Sequence, residues 1–518
     1  MHSKNIYTFL ISFLLIAALI STAFAIETKD LVSEKDLAKI KEIETVRSIG
    51  TLELGGLTGR IEIVFSAPDK IYTVTDLTIL KLVQAYDGRT AWMKDQNGQV
   101  LELTGMEKKN LITGAYMAGM SYLLDDRMPG QVKYLKDTTV GERAYRLFMV
   151  IPEKGDTLGM FFNKHDGRAE IVREKLDDVE IMTFLSDFRE VGGIKVPFVS
   201  RTESDIPQLN SVITTTEMEF NVPVDPSIFE MIKDAEKDYL FPAGKDSVVV
   251  PFELYAGHIY IEAGINGRPV RKFILDSGAG TNAVDKTFAE SIGLEPAGEL
   301  PAKGVAGYGT AALTELDSVS VGGITMYNQV AGIIDIAGIG LQIPGDLGGI
   351  MGFDLMQRFP FRLDFKKYSI TLYNPETFLP PDSAMGIDFE LHMKIPVIQA
   401  QYDKAQGRFL VDLGNALGLI LHKSFVEKND LQDTFSDIRE MQGGVGGLGG
   451  QSDAVAAIGT VFKFGPAEIK KPALMIAGGD GGLMDSRMVD GNIGNLMLRD
   501  FLVLMDYKNK KIYILPLL

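Results

Sequence analysis

The sequence predicts a mainly β protein built as a curved antiparallel sheet with a few helices, followed by two related β lobes. Three observations carry that expectation. Residues 46–235 alternate strand-length runs with turn signals, the pattern of an antiparallel sheet that curls on itself. Beyond 245 a set of sequence features occurs twice in the same order, which is evidence of duplicated architecture. The length of 518 residues is too great for one core, and about 150 residues per domain gives roughly three units.

The elements follow in chain order. Residues 1–25 read as a cleavable secretory signal: Lys4 gives a positive start, an apolar run follows, and Ala23-Phe24-Ala25 is an A-x-A cleavage site. The apolar run is short of the roughly 20 residues of a membrane span, so the expectation is a secreted, periplasmic chain with no integral span after cleavage. The absence of cysteine excludes disulfides, thiolate zinc sites and Cys nucleophiles, and leaves the cores to hold the protein.

The first unit is expected over 26–235. Strands are predicted over 46–54, 60–65, 70–76, 81–86 and 90–94, with Asp87-Gly88 and Asn97-Gly98 as hairpin turns. A helix is predicted over 111–124, between Asn110 and Asp125, with further strands over 143–151, 159–163, 169–174 and 180–191. A short helical stretch over 226–237 leads into a linker at 236–245. Pro375, Pro380 and Pro381 break the chain again, dividing the remainder into lobes at 246–378 and 379–518.

Three segments, Tyr86-Asp87-Gly88-Arg89-Thr90-Ala91-Trp92, the run 184–198 from Phe184 to Phe198, and Phe220-Asn221-Val222-Pro223-Val224, resemble the periplasmic lipoprotein-sorting or carrier-like domain. That resemblance implies a half-open β-barrel around helices, whose concave face would hold a lipid, a lipoprotein or an apolar peptide. Apolar residues facing inward also serve simply as core, and both readings stand.

The duplicated features are specific. Phe273-Ile274-Leu275-Asp276-Ser277-Gly278 in the first copy answers Phe409-Leu410-Val411-Asp412-Leu413-Gly414 in the second, each an apolar run that delivers a carboxylate into a Gly-assisted turn. A glycine-rich loop follows in each: Gly304-Val305-Ala306-Gly307-Tyr308-Gly309, and 443–450 with Gly446 and Gly447. Then come Ile350-Met351-Gly352 and Asn492-Ile493-Gly494, and a terminal strand containing Asp364 or Asp506.

These motifs together resemble a bilobal retropepsin-like or pepsin-like aspartic protease of the bacterial type. The resemblance implies that Asp276 and Asp412 meet on a cleft floor, hydrolyse peptide bonds through an activated water, and need no metal or cofactor. Two carboxyls about 3 Å apart cannot both stay ionised, as is well established for aspartic proteases. Gly278 and Gly414 let the loops approach closely. Gly307, Tyr308 and Gly309, with Gly446 and Gly447, would form flaps over a peptide or protein substrate.

The chain departs from this pattern at one place. The family's Ser or Thr after each Asp hydrogen-bonds to the other lobe; Ser277 can do so and Leu413 cannot, with Asn415 as a candidate replacement. The alternative is therefore a catalytically impaired relative that binds a peptide or lipid in the cleft or the half-barrel. Self-processing near residue 240 is a third possibility.

Other classes are excluded. A net charge of −17 argues against nucleic acid, which needs a basic face. Gly444-x-Gly446-x-x-Gly449 has the spacing of a dinucleotide turn but lacks the βαβ setting. His258, His392 and His422 stand apart from any Ser-His-Asp pattern. Asp364 and Asp506 read as strand-end charges.

Overall fold

The computed structural model describes residues 32–516, apart from 125, 177–178, 234–236, 305–306, 337, 339–344, 382–385, 448–449 and 478–487. The expected signal segment lies outside the described residues. The protein is mainly β, its described residues organised in sheets of 13, 14 and 10 strands, in keeping with its alternating and duplicated patterns. Among the described residues no helix is long and apolar enough to cross a membrane.

The 13-stranded sheet is antiparallel throughout and consists of two meanders. Six strands from Thr45–Leu54 to Val100–Leu103 run outward on one side; seven from Gly130–Val140 to Ser211–Phe220 return on the other. The first and last strands close the gap, pairing Val46 with Phe220 and Leu52 with Ile213. Helix Gly105–Ala118 crosses between the wings. Its buried Ile112, Ala115 and Tyr116 share one cluster with Ile71 and Ala91 from one wing and Phe148, Met160 and Phe162 from the other. A single helix touching both ends of a sheet requires the sheet to curl around it.

Two sequence expectations are corrected here. The helix expected over 111–124 begins at Gly105 and ends at Ala118. Its opening residues, Glu107 to Asn110, are polar and carry no apolar periodicity. It stops at Gly119, after which Met120 takes a left-handed φ of 52° and a 3-10 turn occupies Ser121–Leu123. Of the helix expected over 226–237, residues 234–236 lie outside the described residues, and the described part holds a 3-10 turn, Pro226–Phe229, with Asp225 accepting from the Ser227 N–H. The connector is fastened at both ends. Trp92 Nε1 donates to Phe229 O at 2.8 Å, and Tyr239–Leu240 pairs with Met326 and Thr325.

The two β lobes are joined by strand pairing. Phe361–Asp364 of the first lies antiparallel to Phe501–Asp506 of the second, with Phe361 opposite Met505. One buried cluster then runs across both, including Phe273, Phe353, Phe361, Phe409, Leu413 and Met505. Full burial of a large apolar side chain contributes about 1.5–3 kcal/mol, so a continuous core of this kind fixes the lobes against each other. Asp364 and Asp506 cap the turns after these strands: Asp364 Oδ1 accepts from the Lys366 and Lys367 N–H groups, and Asp506 Oδ1 from Asn509 N.

The first glycine-rich loop tips a hairpin, Ala297–Lys303 with Tyr308–Val321. The base of that hairpin rests on the 13-stranded sheet. Leu313 is buried with Leu52, Leu57, Leu77 and Leu80, and Glu299 N donates to Gly55 O at 2.7 Å. The second loop tips the hairpin Ser436–Gly447 with Gly450–Ile458.

Candidate active site

Each carboxylate is delivered by the same backbone device. Strand Arg271–Leu275 ends in fully buried Leu275 and runs parallel to Leu347–Met351; Asp276 N then donates to Met351 O at 2.9 Å. In the second lobe Ala405–Val411 runs parallel to Gly491–Ile493, and Asp412 N donates to Ile493 O at 3.0 Å. The turn that follows is also shared. Gly278 N donates to Asp276 Oδ1 at 2.7 Å, and Gly414 N to Asp412 Oδ1 at 2.9 Å.

The two loops meet face to face. The carboxyls of Asp276 and Asp412 lie side by side, each pressed against the glycine that follows the other. A Cβ added at Gly278 would lie 2.5 Å from Asp412 Oδ1, and one at Gly414 would collide with the Asp276 carboxyl. Only glycine permits this approach from either side. Burial pushes the Asp276 carboxyl well above its ordinary range, the neighbouring Asp412 charge and hydrogen bond add to the rise, and the Gly278 and Ala279 N–H groups oppose it.

The hydroxyl interlock between the Asp loops is one-sided. Ser277 is fully buried; its Oγ donates to Val411 O at 2.8 Å and accepts from Leu413 N at 2.9 Å. A single hydroxyl thus uses both its donor and its acceptor capacity across the seam. Leu413 offers only its backbone, and its side chain is fully buried in the common core.

Asn415 reaches the dyad through an intermediary. Its Nδ2 donates to Asn492 Oδ1 at 3.0 Å, and Asn492 Nδ2 donates to Asp412 Oδ2 at 2.7 Å. Asn492 was not singled out from the sequence. The available signal was a polar residue within a buried strand, at the position where the first lobe has Ile350.

Three more residues near the dyad escaped sequence reasoning. Tyr507 is buried; burial first, then the charges of Asp276 and Asp412, push its phenol well above the ordinary range. His258 is 8% exposed. Burial pushes its imidazole down, while the Asp412 charge and a hydrogen bond to the Gly414 backbone oppose that. Asn495 Nδ2 donates to Leu413 O at 2.9 Å and to Gly257 O at 3.1 Å, which ties the first lobe's 256–257 turn to the second lobe's Asp412 loop.

The expected flap residues sit at hairpin tips. Gly304 N donates to Gly307 O at 2.8 Å, Tyr308 opens the return strand opposite Lys303, and Gly309 faces Ala302. Val305 and Ala306 lie outside the described residues. In the second hairpin Gly446 pairs with Gln451 and Gly447 with Gly450.

Comparison with known proteins finds a match for one stretch of this arrangement. Residues 261–355 match the Aspartyl protease family, a stretch that contains Asp276 and ends before Asp412. No curated protein matches the chain. Similar solved structures include a DUF1329 family protein from Desulfovibrio piger, at 14% identity over 39% of this chain and 95% of that one, TM-score 0.28. A LolA superfamily protein from Nitrosomonas europaea aligns at 12% identity over 40% of this chain and 98% of that one, TM-score 0.30. Basic 7S globulin from soybean aligns at 12% identity over 52% of this chain and 94% of that one, TM-score 0.34. The region that carries the first half-site is thus similar to aspartyl proteases.

Proposed function

We propose that the protein is an aspartic endopeptidase whose dyad is Asp276 and Asp412. The observation that carries this reading is the contact between the two carboxyls, with the proton affinity of Asp276 raised by burial and by its neighbour. Such a pair holds one proton between its members across a broad acid range, and the apparent pKa values belong to the pair.

The chemistry follows from that shared proton. A water held between the carboxyls gives a proton to the ionised member as its oxygen attacks the scissile carbonyl. The protonated member, Asp276 in this assignment, donates to the carbonyl oxygen. The resulting tetrahedral diol collapses when the proton taken up by Asp412 passes to the leaving amine and one diol hydroxyl returns its proton to Asp276, and the C–N bond breaks. One proton remains on the pair, so the cycle closes with no metal or cofactor in it. The flap hairpins would exclude bulk water and clamp an extended peptide.

The supporting roles fall to Ser277, Gly278, Gly414 and Asn415, with Asn492 as the link from Asn415 to Asp412. A periplasmic address remains part of the proposal, resting on the 1–25 pattern; a mature amino terminus other than Ile26 would count against it. A lipid or apolar ligand at the first sheet is a second reading with one observation behind it. Ile171 and Phe184 face away from the buried helix, since their neighbour Val172 packs toward it. There they line a cavity of about 340 Å³ with Tyr145, Arg143 and Arg201.

The decisive test is peptide cleavage at acidic pH by the full chain and by Asp276→Asn and Asp412→Asn. General acid–base catalysis contributes roughly 10²–10⁴-fold, so each variant is expected to lose at least that much turnover while remaining folded. Cleavage by either variant at the wild-type rate would end the proposal.

A further inference from the structure

We propose that the N-terminal sheet is part of the catalytic apparatus, its 95–99 turn supplying Asn97 and Asp95 as positioning residues for the dyad; this rests on the peptidase reading above. The turn joins strands Ala91–Lys94 and Val100–Leu103. Asp95 Oδ1 shapes it by accepting from Asn97 N at 3.0 Å and Gln99 N at 2.9 Å.

Asn97, 5% exposed, is inserted into the first lobe. Its Oδ1 accepts from Val330 N at 2.6 Å and its Nδ2 donates to Val330 O at 3.1 Å, so a side-chain amide pairs with both polar backbone groups of a strand residue. The same Nδ2 donates to Asp354 Oδ1 at 3.0 Å. Asp354 is fully buried, and its other oxygen accepts from Thr281 Oγ1 at 2.7 Å and Asn282 N at 2.6 Å. Asn282 Oδ1 in turn accepts from Gly352 N at 2.8 Å. Those residues form the loop that begins at Asp276 and the strand end on which it rests. Asn97 is therefore one carboxylate removed from the catalytic loop.

The turn also holds the second lobe. Asp95 Oδ2 accepts from Lys394 Nζ at 3.0 Å, the aspartate side chain being fully buried and the lysine 19% exposed. Met393 N donates to Glu107 Oε1 at 3.1 Å, at the start of the helix that follows. Met393 and Lys394, with left-handed φ values of 51° and 66°, form the two-residue loop of the hairpin that pairs His392 with Ile395, the turn that fits such hairpins. This turn lies on the Asp276 loop: a Cβ added at Gly280 would be 3.2 Å from Met393 O.

The opposite side of the seam needs no such help. There the 256–257 turn is held against the Asp412 loop by Asn495, from within the second lobe. The positions equivalent to Asn495 and to Asp354 are Phe353 in the first lobe and Leu496 in the second, and Leu496 is 43% exposed. Phe353, at the position of Asn495, cannot reach across to the 393–394 turn with a hydrogen bond, and the N-terminal turn holds that turn through Asp95 instead.

The test uses the full chain and one peptide substrate. Displacing reacting groups by about 1 Å costs on the order of 100-fold. Asn97→Ala and Lys394→Ala are each expected to lower kcat at least about tenfold with KM changed less than about twofold, and Lys394→Arg to restore turnover within about threefold, because positioning acts on the reacting groups. Amide exchange at Asn282 and Gly352 should rise in Asn97→Ala. Unchanged kcat with unchanged exchange overturns the proposal, as does a loss of stability alone with normal turnover by the folded fraction. If Asn97→Ala does not fold, Lys394→Ala at its partly exposed site decides the question. A wild type that cleaves nothing defeats the peptidase reading instead. Exchange at Asn282 then still supports the coupling if it rises and refutes it if it does not.

Discussion

The two half-sites share a backbone and differ in almost every side chain that supports it. Asp276 and Asp412 each end a buried strand, rest on a parallel neighbour through one N–H bond, and receive the N–H of the glycine two residues on. The first loop then places a serine at the seam and takes further support from Asp354. The second turns a leucine into the core and takes its polar support from Asn492 and Asn495. What persists between the copies is the main-chain geometry that aims a carboxylate. The side chains that stiffen it are interchangeable, provided each loop finds enough of them.

Truncating the residue after each Asp should separate the two strategies most strongly. Leu413→Ala removes a fully buried side chain and is expected to cost about 2–5 kcal/mol of stability. Ser277→Ala removes no comparable volume but leaves Leu413 N without its acceptor in a dry place, a cost of about 1–3 kcal/mol. Denaturant unfolding of both variants orders them. A larger loss for Ser277→Ala than for Leu413→Ala would mean that the polar tie, and not the shared core, holds the lobes together.

The asymmetry sharpens at Asn492. Its amide gives Asp412 Oδ2 a donor for which the first lobe has only Ile350 at the matching position. Asn492→Leu keeps the approximate size and deletes that bond. Hydrogen bonds to charged groups are worth about 1.5–3 kcal/mol, so turnover is expected to fall roughly 10- to 100-fold. A variant with wild-type turnover would show that Asn492 merely fills its strand.

These contrasts also explain what could be read in advance. Asp276, Asp412 and the hairpin turns at 87–88 and 97–98 were legible because each depends on a local pattern, an apolar run or a glycine at a fixed offset. Helix Gly105–Ala118 was placed late because its opening turn is polar. Asn97 was visible only as a turn residue, since its partners Val330 and Asp354 are 233 and 257 positions away. Asn415 was expected to hydrogen-bond in place of the missing hydroxyl; it contacts Asn492 within its own lobe, and the hydroxyl bond across the seam comes from Ser277. Local chemistry announces a half-site, whereas the residues that brace it are chosen by contacts that no local spacing records.

The smallest effect tests the electrostatic side of the comparison. Because burial raises Asp276 above its ordinary value of 3.8, the folded protein holds a proton there that the unfolded chain releases. Stability then falls with rising pH over that interval. The contribution is fully present below 3.8 and is lost as pH climbs through the raised value. Asp276→Asn, which cannot ionise, should melt higher than wild type at neutral pH, and the advantage should shrink to nothing as pH drops to the ordinary carboxyl range. In Asp412→Asn the neighbouring charge is gone while the burial remains. Burial is the larger cause, so most of the pH dependence at Asp276 should survive. If it vanishes in Asp412→Asn, like-charge repulsion dominates the pair, and the two half-sites are electrostatically more equal than their surroundings suggest.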